Sequence, residues 1–246
     1  MAVGNSRKTI NPEAELTELV PRLREAAGKN LVSVIVYGSA ASKDFRRDYS
    51  DINVLVVANK LPLEGLKALI PVMHWWRDRG HPPLVIFTRE EIERAADVFS
   101  IELYDMKHRH RVMDGEDVFA TLQIPMAMHR VQLEHELRTS LLRLRQGYIA
   151  EPQEEAVLNL MLQSISSFGT LFRHVLIAVG QEPPAHRRDV TMKLGELVGF
   201  DPKPFLEIFE MREGRSHALH VNETFRQYLF IIEQVITWVD RKLDHA

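Results

Sequence analysis

Two short polar motifs near the start of the chain have the residue types and the spacing to hold a phosphate group. Gly38-Ser39 ends one apolar run, and Asp51-Ile52-Asn53 opens the next, with Asp51 twelve residues after Ser39. Gly38 has no side chain, so a phosphate can approach its backbone closely, and Ser39 adds a hydroxyl. A helix starting here would add free N–H groups. The pattern therefore indicates a polyphosphate site.

Asp51 and Asn53 extend this site toward metal binding. Residues two apart on a strand project from the same face of a sheet, so the two side chains are expected side by side. Paired oxygen ligands suit Mg²⁺, and a metal pair can stabilise both oxygens of an in-line displacement. Because the amide of Asn53 carries no charge, the site either holds a single ion more weakly or has lost catalysis.

A third carboxylate is harder to place from the sequence. The apolar run 83–87 carries none, so Glu102 is the first candidate and Asp105 the second, both on an expected strand over 100–111. Ile101 and Leu103 would then lie on the face opposite Glu102. Glu102 is thus either on a solvated face or in the site.

Basic residues close to the motifs are further candidates for phosphate contacts. Lys43, with Arg46 and Arg47, lies in the loop between the two motifs and could contact phosphate oxygens, although a solvated charged loop has the same composition. Further along, Lys107, Arg109 and Arg111 alternate with His108 and His110. This alternation indicates a basic strand end rather than a metal site, since no third ligand is evident.

The elements that must position these residues alternate over the first half of the chain. Apolar periodicity predicts helices and strands in turn: helix 13–27, strand 31–37, strand 52–58, helix 63–79, strand 83–88, helix 89–96 with Thr88 as its N-cap, and strand 100–111. Strands 31–37 and 52–58 are too apolar for an exposed edge. The pattern indicates a small α/β unit with a mostly buried sheet.

After residue 125 the apolar pattern is helical to the end of the chain. Long apolar stripes predict helices over 133–148 and 158–179, shorter helices over 188–198 and 203–219, and a last helix from Phe225 to Leu243. Four or five helices with short connections make a bundle. We therefore predict an α+β protein with an α/β domain over residues 1–124 and a helical domain over 125–246.

Composition narrows the classes of function. The chain has 246 residues, a formal net charge of −3 and no cysteine. The charge provides no global positive field for a long nucleic acid, and the absence of cysteine excludes disulfides, thiolate metal sites and cysteine nucleophiles. No apolar stretch has the length of a signal peptide or a membrane span, so we expect a cytoplasmic protein that does not enter a membrane.

The two motifs together resemble the signature of the polymerase-beta-like nucleotidyltransferase superfamily. In that signature Gly-Ser ends the first strand, and Asp-x-Asp or Asp-x-Glu starts the second. The order of a catalytic domain and a helical bundle is similar to aminoglycoside and kanamycin nucleotidyltransferases, or to a minimal nucleotidyltransferase joined to a HEPN-type helical domain. The resemblance implies Mg²⁺- or Mn²⁺-dependent transfer of a nucleoside monophosphate from a nucleoside triphosphate to an acceptor hydroxyl.

The resemblance also assigns roles to residues of this sequence. It implies nucleotide binding by Gly38 and Ser39, to which the loop adds Lys43, metal binding by Asp51, Asn53 and Glu102, and catalysis by Asp51 and Glu102. The acceptor is a small molecule, a protein or RNA, and a homodimer formed through the helices is compatible with the pattern.

Two alternative functions stay open at this point. One is a degenerate nucleotidyltransferase that acts as a nucleotide-binding or regulatory module, because Asn53 replaces an acid. The other is a HEPN-type ribonuclease or toxin–antitoxin component, because Arg212 with His217 and Arg215 with His220 fit the Arg-x4-His pattern of that class.

Overall fold

The structure is a computed structural model that describes residues 11–41, 51–215 and 220–243. The chain divides into two compact units, Met1–Pro125 and Met126–Ala246. The first contains a four-stranded mixed sheet with helices, and the described part of the second is helical. This architecture confirms the predicted α+β class.

The sheet of the first unit has its two most apolar strands in the centre. The strand order is β3-β2-β1-β4, in which β1 is antiparallel to both β2 and β4, and β2 is parallel to β3. The central position of β1 and β2 confirms that neither lies at an exposed edge. The elements in chain order are α1 Pro12–Ala27, β1 Leu31–Tyr37, β2 Asn53–Ala58, α2 Leu63–Asp78, β3 Val85–Thr88, α3 Arg89–Arg94, α4 Ser100–His108 and β4 His110–Gly115.

Both faces of this sheet are covered, because β1 and β2 send buried side chains to each side. Val34 and Val36 on one side pack with Val54, Val56 and the apolar residues of α1 and α2. On the other side Ile35, Leu55 and Val57 pack with Ile92, Leu103, Met106 and Phe119. The predicted N-cap of α3 is also present, since the Thr88 hydroxyl accepts a hydrogen bond from the backbone N–H of Glu91.

The predicted strand over 100–111 is wrong, because residues 100–108 form a helix and the strand begins only at His110. Leu103 and Met106 are three residues apart and pack on the same sheet face, which is helical spacing. Ile101 is also buried. The alternation of Ile101 and Leu103 is also typical of a strand, but the packing of Leu103 and Met106 against the sheet requires a helix.

The second unit is built around α6, which carries the large aromatic core residues Phe168 and Phe172. Phe172 packs against Phe205 with ring centroids 4.9 Å apart, and Phe168 meets the Tyr228 ring edge-on at 5.7 Å. The helices are α5 Met126–Ala150, α6 Glu154–Ala178, α7 Arg187–Val198, α8 Lys203–Arg212 and α9 Val221–Leu243.

The second unit corrects one predicted element. The helix expected over 203–219 ends at Arg212, and Gly214 follows with a φ of 69°, a left-handed conformation that stops a helix. Over the described residues, no helix combines the length and the apolar character needed to cross a membrane.

Candidate functional site

The site begins at Gly38, where β1 ends and a 3-10 turn, Gly38–Ala41, takes over. Gly38 has a φ of 73°, in the left-handed region that other residues avoid. Its backbone N–H donates to the carbonyl oxygen of Arg109 at 2.9 Å, which ties the turn to the start of β4. A Cβ at this position would lie 3.6 Å from Nδ2 of Asn53. Gly38 therefore keeps the backbone open beside Asn53.

The antiparallel register of β1 and β2 brings the second motif to the same end of the sheet. Tyr37 pairs with Asn53, so the first residue of β2 lies beside the last residue of β1. Asn53 is half-buried, and Asp51, two residues earlier, is exposed. Within the described residues, no hydrogen bond or ion pair engages either side chain. The two oxygen-bearing groups are thus available to a ligand.

His81 is a neighbour of Asp51 that sequence reasoning missed. The parallel pairing of β2 with β3 puts the segments that precede the two strands at the same end of the sheet, and the Asp51 carboxylate is near enough to raise the pKa of the His81 imidazole. The His81 side chain is buried and its ring stacks on Trp76, with centroids 3.9 Å apart. A histidine just before Pro82-Pro83 and a strand is the signal that could have drawn attention to it.

The environment of His81 favours its neutral form. Burial lowers the pKa of the imidazole, and this effect outweighs the nearby carboxylates of Glu15 and Asp51, which raise it. The Glu15 Oε2 atom lies 3.5 Å from Nε2 of His81, and Arg79 holds the same carboxylate at 3.3 Å. A neutral His81 leaves the charge of Asp51 free to attract a cation.

The structure gives fewer contacts for the other site residues that the sequence predicts. Ser39 is half-buried in the turn after Gly38, and Lys43 lies outside the described residues. Glu102 is on the exposed side of α4, and Asp105 is half-buried on the same helix. No set of three His, Cys, Asp or Glu side chains in the described ranges is close enough to hold a metal ion. The register of β1 and β2 brings the turn at Gly38 and Ser39 and the segment of Asp51 and Asn53 to one end of the sheet, whereas metal binding by Glu102 stays a prediction.

The donor set of the site nevertheless fits one magnesium ion. The Asp51 carboxylate and the Asn53 amide oxygen are hard oxygen ligands, and Mg²⁺ is usually held by one or two carboxylates together with substrate phosphates and waters. Asn53 opens β2 beside the glycine turn, and Asp51 precedes it by two residues. A site with few protein ligands is the arrangement expected where phosphates complete the coordination.

Comparison with known proteins identifies this unit. Residues 16–109 match the family model described as the nucleotidyltransferase domain, a segment that runs from α1 to the residue after α4 and includes Gly38, Ser39, Asp51 and Asn53. The chain carries a nucleotidyltransferase domain of the polymerase-beta-like superfamily. The superfamily assigned from the two motifs is therefore confirmed.

Beyond its nucleotidyltransferase domain, the chain resembles a solved structure along nearly its whole length. That structure is the crystal structure of spectinomycin adenyltransferase AAD(9) from Enterococcus faecialis with ATP and spectinomycin, with a TM-score of 0.60 and 14% sequence identity. The match covers 92% of this chain and 99% of that one, and it shows a shared fold. No curated protein sequence matches the chain.

The Arg-x4-His pattern lies outside the nucleotidyltransferase domain, and its arginines are engaged in the helical unit. Arg212 donates to the carbonyl oxygen of Leu162 at 3.2 Å and to the Ser166 hydroxyl, so it joins α8 to α6. Arg215 forms an ion pair with Glu213. His217 lies outside the described residues. The described contacts of Arg212 are those of a helix-bridging residue.

Proposed function

We propose that the protein transfers a nucleoside monophosphate from a nucleoside triphosphate to an acceptor hydroxyl, with Mg²⁺ or Mn²⁺ as cofactor. The observation that supports this most is the meeting of the Gly38 turn with Asn53 and Asp51 at one end of β1 and β2. A backbone open to phosphate and two oxygen ligands free of partners among the described residues are what a metal–triphosphate complex requires.

In this proposal the turn binds the nucleotide and the second strand binds the metal. Gly38 and Ser39 hold the β- and γ-phosphates: Gly38 has no side chain to block their approach to the turn, and Ser39 contributes its hydroxyl, with Lys43 as a further contact from the loop. Asp51 and Asn53 hold the metal ion through a carboxylate and an amide oxygen. Bound Mg²⁺ supplies charge neutralisation on the phosphates and stabilises the leaving oxygen.

The transfer itself is an in-line displacement at the α-phosphorus. The acceptor oxygen forms a bond to this phosphorus, the bond from the phosphorus to the bridging oxygen breaks, and pyrophosphate leaves. A base must take the hydroxyl proton, and we assign this role to Glu102. Asn53 and Leu55 are two residues apart on β2, so their side chains project from the same face of the sheet. Leu55 packs against α4, the helix that contains Glu102, so Glu102 belongs to the helix that covers this face.

The acceptor class is proposed from the structural relative. AAD(9) was solved with ATP and with spectinomycin, a small molecule, and its fold matches this chain over both units. This favours ATP as the donor and a small hydroxyl-bearing molecule as the acceptor over a protein or RNA.

The experiment that tests the proposal is a transfer assay with α-labelled ATP, GTP, CTP and UTP. Each nucleotide is incubated with Mg²⁺ or Mn²⁺ and a panel of hydroxyl-bearing small molecules, with the wild type, Asp51→Ala and Glu102→Gln. We expect labelled product and pyrophosphate from the wild type, none from Asp51→Ala, and strongly reduced product from Glu102→Gln. Transfer that survives Asp51→Ala contradicts the assignment of the site.

A second candidate function is favoured by Asn53. With an amide in place of a second acid, the domain can bind a metal–nucleotide complex without turning it over, as a regulatory module does. Activity that appears only in Asn53→Asp identifies this case, whereas activity in the wild type excludes it.

A further inference from the structure

Arg109 lies against the glycine turn although it is 71 residues away in sequence from Gly38. The antiparallel pairing of β1 with β4 sets His110 opposite Tyr37, and the N–H of Gly38 donates to the carbonyl oxygen of Arg109 at 2.9 Å. The backbones of the two residues are thus in direct contact. An arginine side chain is long enough to reach past a neighbouring glycine that has no side chain of its own.

The other cations of the same basic run are already engaged. Lys107 donates through Nζ to the carbonyl oxygen of Leu122 at 2.5 Å, and Arg111 pairs with Glu13 at 2.6 Å. By contrast, no hydrogen bond or ion pair of the Arg109 guanidinium is found over the residues that the structure describes. Arg109 is half-buried, so its cation is partly desolvated, and its backbone lies beside the turn.

A half-buried guanidinium with no counter-ion among the described residues is a costly arrangement unless an anion binds to it. Its five donors form a planar fork that matches the oxygens of a phosphate, and bonds between charged groups are about twice as strong as neutral ones. Two carboxylates that contact the same strand do not serve it, since Glu13 pairs with Arg111 and Asp117 with His110.

We propose that Arg109 is a phosphate-binding residue of the nucleotide site. Its guanidinium binds the β- or γ-phosphate of the triphosphate that the Gly38-Ser39 turn holds. This inference rests on the proposed function. It gives the turn a positive charge from the residue that precedes β4. The residue makes the site selective for triphosphates over nucleosides and monophosphates, because only the outer phosphates need this charge.

The test compares Arg109→Gln with Arg111→Gln by isothermal titration calorimetry. Each protein is titrated with the Mg²⁺ complexes of ATP, GTP, CTP and UTP, and with AMP and adenosine. Arg111→Gln is the matched control, because it makes the same chemical change two residues away and removes the ion pair with Glu13, the partner of Arg111 among the described residues. Arg109→Lys keeps the charge and loses the fork, and melting temperatures without ligand confirm that all variants fold.

We expect Arg109→Gln to weaken triphosphate binding by about tenfold or more, with Arg109→Lys in between, while the affinity for adenosine is unchanged. Arg111→Gln should stay within about twofold of the wild type. Triphosphate binding by Arg109→Gln as tight as that of the wild type, or an equal loss in Arg111→Gln, overturns the inference and leaves the proposed function standing. A wild type that binds no triphosphate overturns the proposed function itself.

Discussion

The amide nitrogen of Asn53 lies 3.6 Å from the point where a Cβ of Gly38 would stand. The two residues are fifteen positions apart in sequence, and the register of β1 with β2 makes them neighbours. Gly38 supplies a backbone that no side chain covers, and Asn53 supplies a polar side chain. The proposed metal–phosphate site depends on the close approach of the two motifs rather than on either motif alone.

Replacing Gly38 by alanine is expected to impair both folding and nucleotide binding. A left-handed φ costs an alanine roughly 1–2 kcal/mol, and the new methyl group would meet Asn53. Gly180→Ala is the matched control, since Gly180 has a φ of 74° but no atom within 4 Å of its Cβ position. Urea unfolding should show a similar loss in both variants, whereas only Gly38→Ala should lose Mg²⁺–nucleotide binding. Equal nucleotide binding by the two variants would contradict the role of Gly38.

Asn53→Asp is expected to bind Mg²⁺ more tightly in the presence of nucleotide. The substitution keeps the shape of the side chain and adds a negative charge next to Asp51, so the affinity for a divalent ion should rise by about tenfold. A magnesium titration followed by intrinsic fluorescence at a fixed nucleotide concentration measures this. Asn159→Asp adds the same charge at an exposed position of α6 and should change nothing. An unchanged magnesium affinity in Asn53→Asp would argue against residue 53 as a ligand.

The positions of the two motifs were predictable because their signal is local. Gly38-Ser39 follows β1 directly and Asp51 precedes β2, so apolar periodicity and spacing were sufficient. Glu102 was assigned to a strand because Ile101 and Leu103 alternate with it, and only packing against the sheet makes this segment a helix. The neighbours Arg109 and His81 depend on which strands pair and in which direction, and a single sequence does not contain that information.

Stability should fall as the pH is lowered, in part because of His81. Burial lowers its pKa in the folded protein below the usual 6.5, while the unfolded chain takes up a proton near that value. The free energy of unfolding therefore decreases as the pH falls below 6.5 and stops decreasing below the folded pKa. Glu15 and Asp51 raise the pKa and Arg79 lowers it, so the three charges modify the shift that burial causes.

The contribution of His81 is measured by urea unfolding over a series of pH values. His81→Gln should flatten the dependence on pH below 6.5, even though the loss of the Trp76 contact lowers stability at every pH. His74→Gln is the control, because His74 is an exposed histidine in α2. A slope that is the same for the wild type and His81→Gln would show that His81 is not a buried neutral group.

Arg212→Ala is expected to destabilise the helical unit and to have no effect on RNA. The variant removes the bonds from α8 to Leu162 and Ser166 in α6, so the melting temperature should drop by a few degrees. Arg226→Ala is the control, since the described bonds of Arg226 go to Glu223 within α9. RNA incubated with the wild type in EDTA should stay intact. Metal-independent cleavage that disappears in Arg212→Ala would favour the ribonuclease alternative.

The central claim is that the turn at Gly38 and the residues Asp51 and Asn53 form one metal–nucleotide site, and metal-dependent nucleotide binding tests it most directly. The melting temperatures of the wild type and Asp51→Ala are measured with ATP, GTP, CTP and UTP, each with and without Mg²⁺ or Mn²⁺. We expect at least one triphosphate to raise the melting temperature of the wild type only when the metal is present, and no such rise in Asp51→Ala. A wild type that no combination stabilises, or an equal rise in Asp51→Ala, would contradict the claim.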